Sequence, residues 1–178
     1  PAPARLRDAR PADLPALLAL EAGFPGDRLS ARQFRHHLAN PRARLRVALA
    51  GGRLLGYHLL LRRKGSAWAR LYSIAVDPAA RGQGLGRRLL ADAERQAAAA
   101  GSTGLRLEVR QDNRAACALY EAAGYRRLAA LPAYYDDGAP GWRYAKALGD
   151  GCILRTENSP VPRPSMTKGL RKLNDGPC

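Results

Sequence analysis

Between Val76 and Arg87 the chain reads Val-Asp-Pro-Ala-Ala-Arg-Gly-Gln-Gly-Leu-Gly-Arg, and these residue types suit an anion. The small residues Gly82, Gly84 and Gly86 let backbone amides converge on one point, and a helix entered from such a loop adds the attraction of its dipole. Arg81 and Arg87 bring charge-assisted contacts that a neutral glycine turn lacks, so a pyrophosphate is the natural guest. Taken alone, a glycine-rich loop is equally well a tight turn whose glycines serve only the backbone. A dinucleotide fingerprint requires Gly-x-Gly-x-x-Gly, whereas the glycines counted from Gly82 fall at the first, third and fifth positions, with Arg87 sixth. No lysine follows as it would in a nucleoside-triphosphate loop. Cys117, Cys152 and Cys178 lack the paired spacing of a zinc site or a disulfide framework, and Cys117 has no obvious base beside it. No metal is expected.

The elements that must position this loop follow from periodicity. Arg5-Leu6-Arg7 reads as a short strand, and Pro11-Ala12-Asp13 opens a helix through Leu14, Leu17, Leu18 and Glu21 that Phe24-Pro25-Gly26-Asp27 breaks. Ser30 caps a second helix with Phe34 and Leu38, ended by Asn40-Pro41. Three strands follow over 45–50, 54–62 and 67–76, joined by Gly51-Gly52 and Lys64-Gly65-Ser66, the short links of an antiparallel meander. Gly84 to Ala100 is a helix with Leu85, Leu89, Ala93 and Ala97 on one face. Leu105, Leu107 and Val109 alternate with Arg106, Glu108 and Arg110 in a strand, and Ala116, Leu119, Tyr120 and Ala123 stripe the next helix. Tyr125 to Leu131 and Trp142 to Leu148 supply two more strands. The order predicts a mixed α/β fold, an α+β domain over residues 1–148. Glu108 follows the glycine loop at a distance suited to a ribose contact, but a dinucleotide fold begins with its βαβ unit, and here four strands and two helices come first.

Thirty Lys and Arg against fifteen Asp and Glu leave a formal charge of +15, of which residues 149–178 carry +2 and the preceding part +13. The excess belongs to the folded domain and attracts a polyanion or a phosphorylated cofactor without choosing between them. Ser159-Pro160-Val161-Pro162-Arg163-Pro164 forbids regular structure, so residues 149–178 read as a flexible tail. With no apolar signal segment at Pro1 to Arg5 and no stretch of membrane-spanning length, the expectation is a cytoplasmic protein that needs no membrane.

Arg81-Gly82-Gln83-Gly84-Leu85-Gly86, following Ile74-Ala75-Val76-Asp77-Pro78, resembles the acetyl-CoA motif of GNAT-superfamily acetyltransferases, and the element order resembles theirs from about Arg5 to Leu148. The resemblance implies the GNAT fold: a central, mostly antiparallel sheet of six to seven strands flanked by about four helices. It implies acetyl-CoA as co-substrate, held by the amides of Arg81, Gly82, Gln83, Gly84, Leu85, Gly86 and Arg87, with the end of the preceding strand, Ile74, Ala75 and Val76, bonding the pantetheine arm. A second stretch, Leu107-Glu108-Val109-Arg110-Gln111-Asp112-Asn113 through Tyr120 to Tyr125, resembles the bacterial ribosomal-protein-alanine N-acetyltransferases and their protein N-terminal acetyltransferase relatives.

Amine acetylation needs a proton taken from an ammonium and a proton given to a departing thiolate, and a carboxylate and a phenol are suitable types for these tasks. The resemblance assigns them to Glu108 and Tyr120 and gives Asn113 a contact to the cofactor arm. On residue type alone, Glu108 is a strand glutamate paired with Arg106 or Arg110, Tyr120 a core aromatic with its hydroxyl satisfied, and Asn113 a helix cap. Tyr134 and Tyr135 match a tyrosine pair that holds a peptide's first residues, and Phe24 matches the opposite wall of that groove. The implied acceptor is a peptide or protein N-terminus, ribosomal proteins included, although these enzymes tend to carry a tryptophan where Gly26 stands here. The rivals are a small-molecule amine acetyltransferase and a basic nucleic-acid-binding module on the same fold. No aromatic-basic platform supports the latter, so nucleic acid is not a required partner.

Overall fold

The computed structural model describes residues 3–26 and 28–149; Pro1, Ala2, Asp27 and residues 150–178, hence nearly all of the expected tail, lie outside the described residues. Seven strands, β1 (Arg5–Asp8), β2 (Ala43–Ala50), β3 (Arg53–Arg62), β4 (Trp68–Val76), β5 (Gly104–Arg110), β6 (Arg126–Leu131) and β7 (Gly141–Ala147), form one sheet in the order β1-β2-β3-β4-β5-β7-β6. Every pairing is antiparallel except β4 with β5. Helices α1 (Leu14–Ala22), α2 (Ala31–Ala39), α3 (Leu85–Ala99) and α4 (Arg114–Ala122) flank it. The element order expected from periodicity is the one observed, and the fold is mixed α/β, a seven-stranded, mostly antiparallel sheet flanked by four helices. β7 inserts between β5 and β6, which leaves β6 at the edge.

Local chemistry starts and stops the helices. Ser30 caps α2 through a capping box, its hydroxyl accepting from the Gln33 amide at 3.2 Å while the Gln33 side chain accepts from the Ser30 amide at 2.9 Å. Asn113 caps α4 by accepting from the Ala116 amide at 3.1 Å. On α3, Leu85, Leu89, Ala93 and Ala97 are all buried, as their fourfold spacing requires.

The sheet separates two apolar layers. On one face α3 and α4 cover Leu71, Ile74, Val76, Leu105, Leu107 and Val109. On the other, α1 lies on β3 and α2 on β2, over Val47, Tyr57, Leu59, Tyr72 and Ala75. A β-bulge decides how β4 is shared between them. Leu59 faces Ser73 and Leu60 faces Leu71, so Tyr72 is an extra residue in β4. Tyr72 and Ala75 therefore both fall in the α1/α2 layer, and Ile74 and Val76 in the α3/α4 layer. Beside the bulge, the Tyr57 hydroxyl bonds Glu21 of α1 at 2.6 Å and Ser73 of β4 at 2.8 Å, tying the helix to the bent strand.

A polar chain crosses the α3 side of the sheet. The Arg46 guanidinium holds both Asp92 oxygens at 2.9 and 3.1 Å and reaches Asp8 at 3.2 Å, and His58 Nε2 bonds Asp92 at 2.8 Å, so β1, β2, β3 and α3 are stitched together. Burial alone would raise the Asp92 carboxyl, but the hydrogen bonds from His58 and Arg46 outweigh it and hold the group well below the usual range. Burial lowers the His58 imidazole. Both shifts make acid destabilising. The unfolded chain takes up the His58 proton more readily, so this contribution is fully present above the unfolded value of about 6.5 and is lost as pH falls below it. Asp92 adds a further loss as pH falls below about 3.9 toward its depressed folded value. The melting temperature should therefore decline steadily from pH 7 to pH 5. His58→Gln, which keeps a donor toward Asp92, should remove much of that slope, the remainder coming from His37, which burial and His36 also lower. A wild-type melting temperature that is flat across this window would contradict the account.

Candidate active site

β4 and β5 are hydrogen-bonded neighbours only at Trp68–Gly104, Ala69–Leu105 and Arg70–Arg106. The apex of this short pairing is pinned by the Trp68 ring, which lies over Gly104 where a Cβ would collide with it. Beyond Arg70 the bulge turns β4 away, and it continues to Val76 paired to β3, while β5 continues to Arg110 paired to β7. The strands thus open a wedge bordered on one side by Ile74, Ala75 and Val76.

The glycine loop sits where β4 ends. The Asp77 carboxylate accepts from the Ala79 amide at 2.8 Å and meets Arg53 at 2.8 Å, which orders a 3-10 turn over Pro78–Ala80. Gly82 and Gly84 both have φ +75°, a left-handed conformation that favours glycine, and a Cβ at either would meet nothing within 4 Å. No side chain caps α3, so its first-turn amides, at Leu85, Gly86 and Arg87, face that open space. Gln83 and Arg87 are exposed there. Arg81 lies over the Phe24 ring, its guanidinium carbon 5.9 Å from the centroid.

Glu108 is buried on the face of β5 opposite Leu107 and Val109, the face α3 and α4 leave uncovered. Its partners are neither Arg106 nor Arg110, as the sequence alone suggests, but Arg70 on β4 at 3.0 Å and Arg143 on β7 at 3.4 Å. The reason is geometric. Residues two apart on a strand lie about 6.6 Å apart along it, whereas cross-strand neighbours are closer, and Arg143 stands directly opposite Glu108. Each carboxylate oxygen has one guanidinium partner, which fixes the group and leaves lone pairs on both oxygens.

Tyr120 is fully buried against Tyr125 and Tyr144. Its hydroxyl has no hydrogen-bond partner among the described residues, against the expectation of a satisfied core phenol. Burial, followed by the proximity of Tyr135 and Cys117, pushes the phenol pKa well up, so it stays protonated at any working pH. Asn113 is buried in its capping role. Cys117 donates weakly to the Arg110 carbonyl at 3.7 Å, and burial raises its pKa, which suits packing rather than nucleophilic chemistry.

The β6–β7 connection is compact. The Ala139 carbonyl accepts from the amides of both Tyr134 and Tyr135, at 3.1 and 3.2 Å, and the two rings meet edge to face at 5.1 Å. Arg110 pins the loop, bonding Asp112 at 3.0 Å and Asp137 at 2.8 Å and lying 5.2 Å from the Tyr135 centroid. Tyr135 is buried, and Tyr134 is half-buried. Phe24 is also buried, in the α1/α2 layer, so what it presents to the glycine loop is support for Arg81.

Residues 12–125 match the Acetyltransferase (GNAT) family, a span running from the turn before α1 through the glycine loop to the end of α4. The chain belongs to the GNAT acetyltransferase family. It is 38% identical over 120 residues to the N-alpha-acetyltransferase RimI of Mycobacterium tuberculosis, covering 66% of this chain and 74% of that protein. It is 39% identical over 129 residues to a Mycobacterium leprae protein, covering 70% of this chain but only 35% of that longer one. The crystal structure of the ribosomal-protein-S18-alanine N-acetyltransferase from Escherichia coli superposes with a TM-score of 0.74 at 27% identity, covering 85% of this chain and 99% of that one. The GNAT family uses acetyl-CoA as co-substrate.

The glycine loop follows Ile74 to Val76 at the end of β4, Glu108 and Asn113 lie on and just after β5, Tyr120 lies on α4, and the connection into β7 sets Tyr134 and Tyr135 beyond the Arg110 end of β5. Sequence reasoning missed Arg70 and Arg143 as the groups that fix Glu108. Strand alternation places Glu108 on a face, but only the register names its neighbours. No group of three or more His, Cys, Asp or Glu side chains that could hold a metal ion occurs among the described residues. Because the Tyr120 hydroxyl is buried without a partner among the described residues, Tyr120→Phe should leave stability unchanged or raise it, by as much as about 1–3 kcal/mol. A drop of several degrees by calorimetry would show that the hydroxyl is bonded in the free protein.

Proposed function

We propose that this GNAT domain transfers the acetyl group of acetyl-CoA to the N-terminal α-amine of a protein or peptide, ribosomal proteins among the candidate acceptors, in the cytoplasm. The peptide acceptor rests above all on the Tyr134–Tyr135 pair, which Arg110 holds at the end of β5 and whose phenols can bind backbone groups without demanding particular side chains. The likeness to the mycobacterial RimI supports it.

The residues present fit the co-substrate. The open, positive-φ glycine loop and uncapped amides of α3 suit a pyrophosphate, with Arg81 and Arg87 adding charge, and the unpaired edge of β4 from Ile74 to Val76 suits an amide-bearing arm. Asn113, at the start of α4, would meet that arm. Acetyl-CoA supplies an activated thioester when bound. Glu108, directly or through water, takes a proton from the acceptor ammonium, so that the neutral nitrogen forms the new C–N bond as the C–S bond breaks. Tyr120, protonated and without a hydrogen-bond partner among the described residues, gives its proton to the departing sulfur, and the second proton that the nitrogen sheds on becoming an amide passes to water, from which the phenol is reprotonated.

Four variants test this reading. Gly84→Asn and Gly84→Asp both tolerate the left-handed backbone, so both should fold, but only the second adds negative charge beside the α3 amides. Calorimetry should find CoA affinity at least tenfold weaker in Gly84→Asp than in Gly84→Asn; equal affinities would remove the loop from the site. Glu108→Gln and Tyr120→Phe should each lower kcat about a hundredfold or more with acetyl-CoA binding nearly intact. Raising pH should partly rescue Glu108→Gln, because more amine arrives already neutral, and should help Tyr120→Phe less. Wild-type turnover in both folded variants would return Glu108 to a salt-bridged strand residue and Tyr120 to the core. Release of CoA with polyamines or aminoglycosides but with no peptide would replace the peptide acceptor by a small amine.

A further inference from the structure

From Arg28 to Val76 the chain carries eleven Lys and Arg and not one Asp or Glu. At the chain's average of fifteen acids in 178 residues, a run of this length would hold about four. The acids that pair with the run come from outside it: Arg44 and Arg46 meet Asp8, Arg46 also meets Asp92, Arg53 meets Asp77 and Arg70 meets Glu108. Arg32, Arg35, Arg42, Arg62, Arg63 and Lys64 are exposed and form no ion pair with a described residue. The fold draws these six together. Arg32 and Arg35 lie one turn apart on the outer face of α2, whose Phe34 is buried beneath them. Beyond the end of α2, Arg62 donates from its backbone amide to the Arg42 carbonyl at 2.9 Å and from its guanidinium to the Pro41 carbonyl at 3.3 Å. The α2–β2 turn is thereby set beside the β3–β4 turn, which holds Arg63 and Lys64. The result is a basic stripe of one helix and two turns. It ends at the closed Trp68–Gly104 end of the wedge, since Arg62 pairs with Ala69 and Ala69 with Leu105, and so lies away from the Tyr134–Tyr135 loop.

We propose that this stripe docks the phosphate backbone of double-helical RNA, independently of its sequence. Cations crowded together without acids repel one another, and a polyanion both relieves that repulsion and releases its own counterions on binding. Five of the six are Arg, whose planar fork grips a phosphate through paired N–H bonds. A bilayer surface would need an apolar face to insert, and α2 spends its own on the core; the large hydrophobic side chain exposed among the described residues is Leu128, on β6 at the far edge of the sheet. Single strands are held by stacking bases on aromatic rings, and no Phe, Tyr or Trp among the described residues is exposed. Double-helical RNA presents phosphates and 2′-hydroxyls across a wide, shallow groove that needs no such ring. RNA rather than DNA follows from the reading above that ribosomal proteins are among the acceptors, because these proteins reside on RNA. Docking at the closed end leaves the Tyr134–Tyr135 loop free for the acceptor, so RNA is an anchor and not a requirement of turnover.

The test uses the full chain and an RNA duplex of about 20 base pairs, with binding followed by fluorescence anisotropy. Wild-type affinity should fall about a hundredfold or more between about 50 and 200 mM salt, as four or more phosphate contacts require. Arg35→Glu combined with Arg63→Glu reverses charge on the stripe, and Arg5→Glu combined with Arg126→Glu makes the same change on the two edge strands, β1 and β6. All four side chains are exposed, so both double variants should fold. At low salt the stripe variant should bind the duplex at least tenfold more weakly than the edge-strand variant, while kcat/KM for a free neutral peptide stays unchanged in both. Equal losses in the two variants would assign binding to the overall charge and overturn the stripe. Binding to vesicles of phosphatidylcholine and phosphatidylserine that the stripe variant loses, with no binding of the duplex, would assign the surface to a membrane and overturn the RNA. No duplex binding with peptide turnover intact would remove this surface and leave N-terminal acetylation standing; duplex binding as expected with no peptide turnover would do the reverse.

Discussion

β4 and β5 run side by side for three residue pairs and then part, and the rest of the site hangs on that parting. Two local features impose it. The Trp68 ring over Gly104 clamps the closed end, and the extra residue Tyr72 bends β4 away just beyond the last pair. A sheet does not ordinarily surrender backbone pairing at its centre, because interior N–H and C=O groups without partners are costly. Here the loss is contained by β3, which pairs with β4 from Ala69 to Val76 apart from the bulged Tyr72, and by β7, which pairs with β5 from Gly104 to Arg110. The glycine loop and the uncapped start of α3 follow directly at the end of β4.

Charge is distributed with a comparable division of labour. On the α3 side, Arg46, His58, Asp92 and Asp8 form a balanced chain that locks three strands to a helix. On the other side, Arg70, Arg106 and Arg143 surround a single carboxylate. The first arrangement serves the scaffold, since each of its acids is matched by a donor at hydrogen-bond distance. The second fixes one carboxylate from two sides, through Arg70 and Arg143, beside the space that the strands open. The Tyr120 hydroxyl, by contrast, has no hydrogen-bond partner among the described residues. A buried phenol without a partner is a stability liability of about 1–3 kcal/mol, tolerable where the hydroxyl is completed only when a substrate arrives.

Much of this architecture was legible in the residues. Leu85, Leu89, Ala93 and Ala97 could be placed on the buried face of α3 from spacing alone, Ser30 and Asn113 could be read as caps, and the order of strands and helices followed from periodicity, because these features depend on a residue's near neighbours in sequence. The motif from Arg81 to Arg87 likewise announced an anion loop and, through its resemblance, the GNAT family. What the chain could not disclose was any property set by residues far apart in sequence. Period-two alternation puts Ile74 and Val76 on the same face as Arg70, and the bulge at Tyr72 reverses that assignment. The partners of Glu108 lie 38 and 35 residues away and were mistaken for its strand neighbours. The lack of a partner for the Tyr120 hydroxyl among the described residues is likewise a fact about what surrounds a side chain. Sequence determined which elements form and which motif they carry, since hydrogen bonding within a helix and alternation along a strand are local; only the tertiary structure decided which faces meet, because register and bulges are fixed by pairing between distant strands.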